Sequence, residues 1–313
     1  MIKNKIKVLR EKFKKLGIDG YIVPKNDEYF SEYAKNDRLK NISNFSGSAG
    51  VAVILKKNNY LFVDGRYTIQ AQQESVKNFK IIEIHKKLPH DIIKNCNLGY
   101  DPKLFTSKNL KNYSLSNNLI SINDNLIDQI FKYNEKNTKP FYSLDKKIVG
   151  ETHLSKISKI SNFLKSNTCD YLFVSAPENV AWLLNIRGFD NPNSPIPNAR
   201  LIIDKNKNLF LITQKNNVKT ILIEKKINKN QVIDIKDISK LINDLKGINF
   251  ITDNKTCSIF YENIIKSKFK ILDEDDPIYK LKSIKNSCEI NHMIEAHKKD
   301  GLALTKFIYW IKN

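Results

Sequence analysis

Residues 45–67 read FSGSAGVAVILKKNNYLFVDGRY. A loop rich in glycine and serine precedes two apolar runs, VAVILK and YLFVD, which flank a short polar turn. Two such runs around a turn predict a β-hairpin. The loop leads into a strand and no Lys-Ser or Lys-Thr pair follows it, so it lacks the features of a phosphate-binding loop. We expect its glycines to form a tight turn at positive φ.

A second copy of this pattern occurs about 150 residues later. The hairpin AVILKKNNYLFV at 52–63 matches RLIIDKNKNLFL at 200–211, an offset of 148 residues. Upstream, DGYIV at 19–23 matches CDYLF at 169–173, an offset of 150. A tandem duplication accounts for both matches. Chance similarity between two hairpins is the alternative.

Short strands alternate with helical patterns around both hairpins. Apolar residues spaced three and four apart predict a helix over 2–16 that ends at Gly17, and a second helix over 153–167. The segment 28–34 also has a helical pattern. Helices mixed with short strands predict α/β layers with mixed sheets.

The domain boundaries follow from where this periodicity is lost. Residues 133–150 are polar and aperiodic, which is typical of a linker. We predict a first domain over 1–140, a linker over 141–150 and a second domain over 151–275. The last segment, 276–313, contains one long amphipathic helix whose apolar stripe requires a partner, either another chain or a further domain.

The composition restricts the classes of function. The net charge is +20, but the excess is scattered lysine without an arginine-rich tract or a nucleic-acid-binding motif, which favours a solvated surface over a nucleic-acid interface. No apolar run is long enough to span a membrane, and the N-terminal segment lacks the features of a secretory signal. The cysteines are widely separated, which predicts reduced thiols in a cytoplasmic protein; they are Cys96, Cys169, Cys257 and Cys288.

No catalytic centre can be assembled from the residue pattern. The five histidines show no metal-ligand spacing, and no nucleophile elbow occurs. Arginine is the remaining signal, because the chain has five arginines among 53 basic residues. Arg66 in DGRY and Arg187 in NIRGFD lie beside glycine in predicted turns, where a planar guanidinium could bind a ligand. Salt bridges that fix the turns are the alternative.

Several motifs together carry a family resemblance. FSGSAG followed by DGRY, then ENVAWLLNIRGFDNPNSP and the helical segment AHKKDGLALTKFIYW, occur in that order along the chain. This set resembles the N-terminal part of the three-domain aminopeptidase P (Xaa-Pro aminopeptidase) family. The resemblance implies two duplicated creatinase-like N-terminal domains. It also implies that 276–313 begins a pita-bread catalytic domain.

The resemblance carries expectations about chemistry. The family removes the N-terminal residue that precedes proline, using two metal ions, usually manganese, held by aspartate, histidine and glutamate of the pita-bread domain. None of those positions occurs in this chain, so we expect no catalytic residue and no metal ligand here, and no turnover by the isolated chain. The arginine of DGRY carries over to Arg66 as a substrate contact, and Arg187 is a weaker candidate. Xaa-Pro peptides and a homodimer formed through the missing domain are the implied partners.

Two other functions stay open at this stage. The chain could be a free-standing, metal-free creatinase-like module that binds a peptide or a protein, with its final helix pairing two copies. Non-specific binding of nucleic acid through the net charge would instead give an affinity with a steep salt dependence.

Overall fold

The structure is a computed structural model that describes residues 2–34, 36–131, 133 and 139–313. Part of the polar, aperiodic segment 133–150, namely residues 134–138, therefore lies outside the described residues. The strands are β1 (Gly20–Pro24), β2 (Gly50–Leu55), β3 (Asn59–Val63), β4 (Lys80–Glu83), β5 (Asn97–Tyr100), β6 (Asn118–Ser121), β7 (Tyr142–Ser143), β8 (Tyr171–Val174), β9 (Ile186–Arg187), β10 (Arg200–Asp204), β11 (Leu209–Ile212), β12 (Val232–Ile233), β13 (Asn249–Thr252) and β14 (Lys270–Asp273). The helices are α1 (Ile2–Leu16), α2 (Arg38–Ser43), α3 (Thr68–Ser75), α4 (Pro89–Ile92), α5 (Ser107–Ser114), α6 (Lys146–Val149), α7 (His153–Ser166), α8 (Pro177–Leu184), α9 (Lys219–Ile223), α10 (Ile238–Asp244), α11 (Ile259–Lys266), α12 (Pro277–Ser283) and α13 (Ser287–Lys312).

The chain divides into two compact units. The first comprises Met1–Asn137, Asn191–Ser194 and Thr252–Asp273, and the second comprises Thr138–Asp190, Pro195–Ile251 and Glu274–Asn313. The domain boundaries given above from sequence stay a prediction.

The first unit is built on a mixed sheet with the strand order β4-β3-β2-β1-β5-β6. The central hairpin strands pair antiparallel, β1 with β2 and β2 with β3, whereas the outer pairs are parallel. Every residue of β1 is buried, as expected for a central strand covered on both faces.

Helix α1 covers this sheet with its apolar stripe. Its side chains Ile6, Leu9 and Phe13 are buried in the same cluster as residues of the sheet. Gly17 adopts φ +65°, and the amide of Ile18 bonds back to the carbonyl of Phe13 at 3.1 Å, which ends the helix in a Schellman motif. The predicted helix over 2–16 is confirmed.

The second unit repeats this architecture. Its strands follow the order β12-β11-β10-β8-β13, with β8 in the place of β1 and the hairpin β10–β11 in the place of β2–β3. The same antiparallel and parallel pairings recur at corresponding positions. The duplicated α/β fold predicted from sequence is therefore confirmed.

The predicted helix over 28–34 is wrong. These residues form turns, and Phe30 has a φ of +59°. The reason is local: the side chain of Asp27 accepts hydrogen bonds from the amides of Tyr29 and Ser31, at 2.9 and 3.0 Å. An aspartate that bonds nearby amides offers the backbone an alternative to the helix.

Helix α13 is continuous, as the apolar stripe predicts. Its first turn is closed by a capping box in which Asn286 and Glu289 exchange hydrogen bonds, and Asn286 also donates to the carbonyl of Val149 at 2.9 Å. Its large apolar side chains are exposed in the structure; they include Ile290, Met293, Ile294, Leu304, Phe307, Ile308 and Ile311.

Candidate functional site

The tetrapeptide Asp64-Gly65-Arg66-Tyr67 follows directly after β3. Gly65–Tyr67 forms one turn of 3₁₀-helix, and Asp64 caps it by accepting a hydrogen bond from the amide of Arg66 at 3.0 Å. A capping aspartate satisfies an amide that the turn itself cannot pair. The hairpin thus ends in a locally determined turn that holds the backbone of Arg66.

The same carboxylate also holds the side chain of Arg66. Nε of Arg66 donates to Oδ1 of Asp64 at 2.8 Å, although the guanidinium side chain is 74% exposed. This hydrogen bond is the main reason that the pKa of Asp64 falls to about 2, and it also raises the pKa of Arg66. Within the described residues of this unit, no hydrogen bond or ion pair engages Nη1 or Nη2 of Arg66.

The glycine-rich loop supports the neighbouring tyrosine. The hydroxyl groups of Ser48 and Tyr67 lie 2.8 Å apart, and the rings of Phe45 and Tyr67 pack edge to face with centroids 5.9 Å apart. The ring of Tyr67 lies in turn 5.5 Å from Cζ of Arg66. The loop FSGSAG and the turn DGRY, adjacent motifs at the two ends of the hairpin, therefore form one local structure.

The reason for glycine in this loop differs from the expected one. Gly47 does not have a positive φ. Instead, a Cβ atom at Gly47 would lie 2.3 Å from Cζ of Phe45 and 2.9 Å from Cδ1 of Tyr67. Glycine is required because two aromatic rings approach the backbone closely.

Other charged groups lie near the Asp64–Arg66 pair. Nε2 of His85 lies 3.6 Å from Oδ2 of Asp64, whereas Arg66 binds the other oxygen, Oδ1. The carboxylate of Glu32 also contributes to the raised pKa of Arg66, after Asp64 and Tyr67. Arg66 thus lies in a locally negative environment that favours its charged form.

Arg187, the second candidate, has a different environment in the second unit. It is partly buried in the short strand β9, and its Nη1 donates to the carbonyls of Ile186 at 2.8 Å and Ala181 at 3.4 Å. Burial lowers its pKa. Donation to Ala181 in the last turn of α8 is typical of a cation at a helix C-terminus. Arg66 and Arg187 thus belong to separate units and have unlike surroundings.

Two lysines also lie at the C-terminus of α8. Nζ of Lys156 donates to the carbonyl of Trp182 at 2.9 Å and to Oδ1 of Asn185 at 2.7 Å. Nζ of Lys226 donates to the carbonyls of Leu184 and Asn185 at 3.4 and 3.1 Å. Lys156 is only 2% exposed, and burial lowers its pKa to about 8. This buried lysine was missed from sequence, although its position four residues before Ile160 on the apolar stripe of α7 is a signal for burial.

The described residues do not fit a metal centre. Across residues 2–34, 36–131, 133 and 139–313, no group of three or more His, Cys, Asp or Glu side chains is arranged to hold a metal ion. Within the same ranges, none of the helices is long and apolar enough to cross a membrane.

Two α/β units whose strand orders correspond over five strands define the class of fold, and the first unit bears an exposed arginine after its third strand. Residues 5–130 match the family model of the creatinase/prolidase N-terminal domain, and residues 132–289 match a second model of the same description. The second match alone covers half of the chain, so the chain belongs to the creatinase/prolidase N-terminal domain family. The resemblance inferred from the motifs is confirmed.

Curated proteins similar to this chain include Xaa-Pro aminopeptidases. Xaa-Pro aminopeptidase 1 of Dictyostelium discoideum is 31% identical over an alignment of 346 positions, which covers 99% of this chain and 53% of that protein. The Xaa-Pro aminopeptidase of Drosophila melanogaster is 29% identical over 321 residues, covering 95% of this chain and 52% of that protein. The chain thus spans about half the length of the curated relatives it matches.

A solved structure agrees with the fold. The X-prolyl aminopeptidase of Caenorhabditis elegans, described as a cytosolic enzyme with a di-nuclear active site, matches all of this chain and 56% of its own, with a TM-score of 0.85. The sequence identity is 22%, so this likeness establishes the fold alone.

Proposed function

We propose that this chain is a non-catalytic portion of a Xaa-Pro aminopeptidase, and that Arg66 contacts the peptide substrate of the complete enzyme. The observation that carries the proposal is the geometry of Arg66. Its guanidinium is exposed, fixed at Nε by Asp64, and unengaged at Nη1 and Nη2 within the described residues of its unit. An arginine held in this way can bind a ligand through Nη1 and Nη2, its outer edge.

The chemistry of that edge suits a peptide. The Nη groups of a guanidinium donate two parallel hydrogen bonds, which match a carboxylate or pair with a carbonyl oxygen. A lysine at position 66 would provide only a point charge on a flexible stem. This difference accounts for an arginine in a chain where 48 of the 53 basic residues are lysine.

The metal chemistry of the proposed enzyme lies outside the described residues. A pair of divalent ions, manganese in our proposal, would activate the water that attacks the scissile carbonyl. The described side chains do not fit such a centre, and we derive no step through it. Cytoplasmic location, a homodimer and the domain boundaries at 140, 150 and 275 belong to the same proposal.

Arg187 has a secondary place in this proposal. Its Nη1 already caps α8 through the carbonyl of Ala181, which leaves less of its guanidinium for a substrate. We therefore assign the main substrate contact to Arg66, with Arg187 supporting its own loop and lying near the peptide in the complete enzyme.

The isolated chain provides a test. We expect the purified 313-residue protein, supplied with Mn²⁺, to leave an Xaa-Pro peptide uncleaved, with the rate of buffer alone. Cleavage that a chelator abolishes and that follows the chain through every purification step would contradict the non-catalytic assignment.

A second candidate is a module that binds a peptide or protein without cleaving it. The exposed apolar side chains of α13, such as Ile294 and Phe307, favour it, because apolar side chains in such numbers are rarely left in water. The two candidates differ in the reading frame after the codon for Asn313. Further coding sequence for Asp, His and Glu metal ligands supports the enzyme, whereas a stop in unrelated sequence supports the module.

A further inference from the structure

Two side chains, those of Asp64 and Tyr67, contact the guanidinium of Arg66. Asp64 accepts from both the amide and Nε of Arg66. The ring of Tyr67 lies beside the guanidinium, and the hydroxyl of Tyr67 is bound to Ser48. The residues that touch Arg66 are thus themselves held, Asp64 by the turn it caps and Tyr67 by the glycine loop.

These contacts restrict the orientation of the arginine. The carboxylate of Asp64 occupies the Nε edge, and the ring of Tyr67 restricts movement on another side. Within the described residues of this unit, the remaining edge of the planar guanidinium, Nη1 and Nη2, stays unengaged. An exposed arginine without such anchors would lose rotamer freedom on binding, which weakens the complex.

We propose that Asp64 and Tyr67 are positioning residues, which orient Arg66 before the peptide arrives and keep its Nη edge open for a planar oxygen acceptor. This inference rests on the proposed function, in which Arg66 contacts substrate. It also gives the loop FSGSAG a role, because Ser48 and Gly47 hold the ring of Tyr67 in place. The loop acts on the substrate only through that ring and Arg66.

The orientation of Arg66 can be measured on the 313-residue chain without any activity. The chain has only five arginines, so the ¹H–¹⁵N spectrum of the Nε–Hε groups contains few signals, and Arg66→Lys identifies one of them. In the unmodified chain we expect a sharp, downfield signal for Arg66, because its Nε–H is bonded to a carboxylate. Asp64→Asn keeps an oxygen for the cap but removes the charge, and the signal should move upfield and broaden.

The chain offers a matched control. Asp234 caps a 3₁₀ turn in the second unit and accepts from the amide of Lys236 at 3.1 Å, without holding an arginine. Asp234→Asn should leave the Arg66 signal unchanged. The other four arginine signals report folding in every variant, so a collapsed structure cannot be mistaken for a released side chain. An Arg66 signal that is identical in Asp64→Asn and in the unmodified chain would overturn the proposal.

Kinetics in the complete enzyme separate this inference from the proposed function. We expect Arg66→Ala to raise KM for an Xaa-Pro peptide about tenfold, and Asp64→Asn about two- to fivefold, with kcat little changed. Tyr67→Phe, which loses only the bond to Ser48, should raise KM less than either. If Arg66→Ala raises KM and Asp64→Asn does not, the positioning role of Asp64 is refuted while the substrate contact of Arg66 stands. If Arg66→Ala leaves KM unchanged, the substrate contact itself fails.

Discussion

Lys156 allows a quantitative prediction, because it is a buried cation without an acidic partner. Among the described residues, its Nζ contacts a carbonyl, an amide oxygen and the ring of Trp182, whose centroid lies 3.9 Å away, but forms no ion pair. Burial lowers the pKa of Lys156 from 10.5 to about 8. Replacing Lys156 by methionine keeps the apolar stem and removes the amine.

The sign of the effect follows from proton linkage. Between pH 8 and pH 10.5 the unfolded chain binds a proton at Lys156 that the folded chain has released, so the free energy of unfolding rises with pH. Below pH 8 both states are protonated, and the folded state bears the whole cost of a buried charge. A depression from 10.5 to about 8 corresponds to about 3 kcal/mol. The part of this difference that appears between pH 7 and pH 10 is about 2 kcal/mol, because the unfolded side chain is still largely protonated at pH 10.

The variant Lys156→Met should therefore differ from the unmodified chain in its pH dependence. We expect the free energy of unfolding of the unmodified chain to rise relative to the variant by about 2 kcal/mol between pH 7 and pH 10. Loss of the hydrogen bonds from Nζ to the carbonyl of Trp182 and to Oδ1 of Asn185 adds a cost in the variant that does not vary with pH. Only the slope of the difference tests the reasoning.

The assay uses the fluorescence of Trp182 in urea. The chain has two tryptophans, and Trp310 is 73% exposed, so Trp310→Phe leaves Trp182 as the reporter for the second unit. Lys159→Met is the matched control, because Lys159 lies on the same helix, is 49% exposed and pairs with Glu151. The lowered pKa would be refuted if the free energies of unfolding of Lys156→Met and the unmodified chain changed with pH in parallel, to within about 0.5 kcal/mol.

The remaining predictions concern the first unit and one helix of the second. Gly47→Ala should lower the free energy of unfolding by about 1–3 kcal/mol in urea titrations, because the new Cβ overlaps two rings. The control Gly301→Ala should be neutral or slightly stabilising, because nothing lies within 4 Å of its Cβ. Equal changes in the free energy of unfolding for the two variants would contradict the packing argument. Arg38→Met should cost about 3 kcal/mol, since Arg38 is buried and binds both oxygens of Asp128 at 2.7 Å. The same change at the partly buried Arg10 should cost less, and a reversed order in thermal or urea unfolding would contradict the assignment.

The pattern of strands could be predicted from sequence, but its alignment could not be fixed to the residue. Val23 pairs with Ala52 in the first sheet, and Phe173 pairs with Ile202 in the second. Since Phe173 corresponds to Val23, the position equivalent to Ala52 is Ile202, two residues beyond the position given by the hairpin match. A shift of two residues keeps every side chain on its face, so the apolar pattern does not detect it.

The candidate site could likewise be predicted from sequence only in part. Exposure of an arginine in a glycine turn follows from local sequence, and Arg66 lies where DGRY predicts. The hydrogen bond from Arg66 to Asp64 is also local, because the two residues are two positions apart in the sequence. The seating of Tyr67 by Gly47 and Ser48 depends on how the hairpin folds back, which residue patterns do not report. The environment of Lys156 depends on contacts with α8, which lies more than twenty residues further along the chain. Its position on the apolar stripe of α7 is the one feature of the sequence that indicates burial.

The central claim is that Arg66 contacts the substrate of a Xaa-Pro aminopeptidase, and steady-state kinetics of the complete enzyme test it most directly. Arg66→Ala is compared with Lys57→Ala, which removes an exposed cation from the turn of the same hairpin. We expect about a tenfold higher KM for an Xaa-Pro peptide in Arg66→Ala, and no change of KM in Lys57→Ala. Equal KM values in Arg66→Ala and in the unmodified enzyme would contradict it and leave Arg66 as the partner of Asp64 alone.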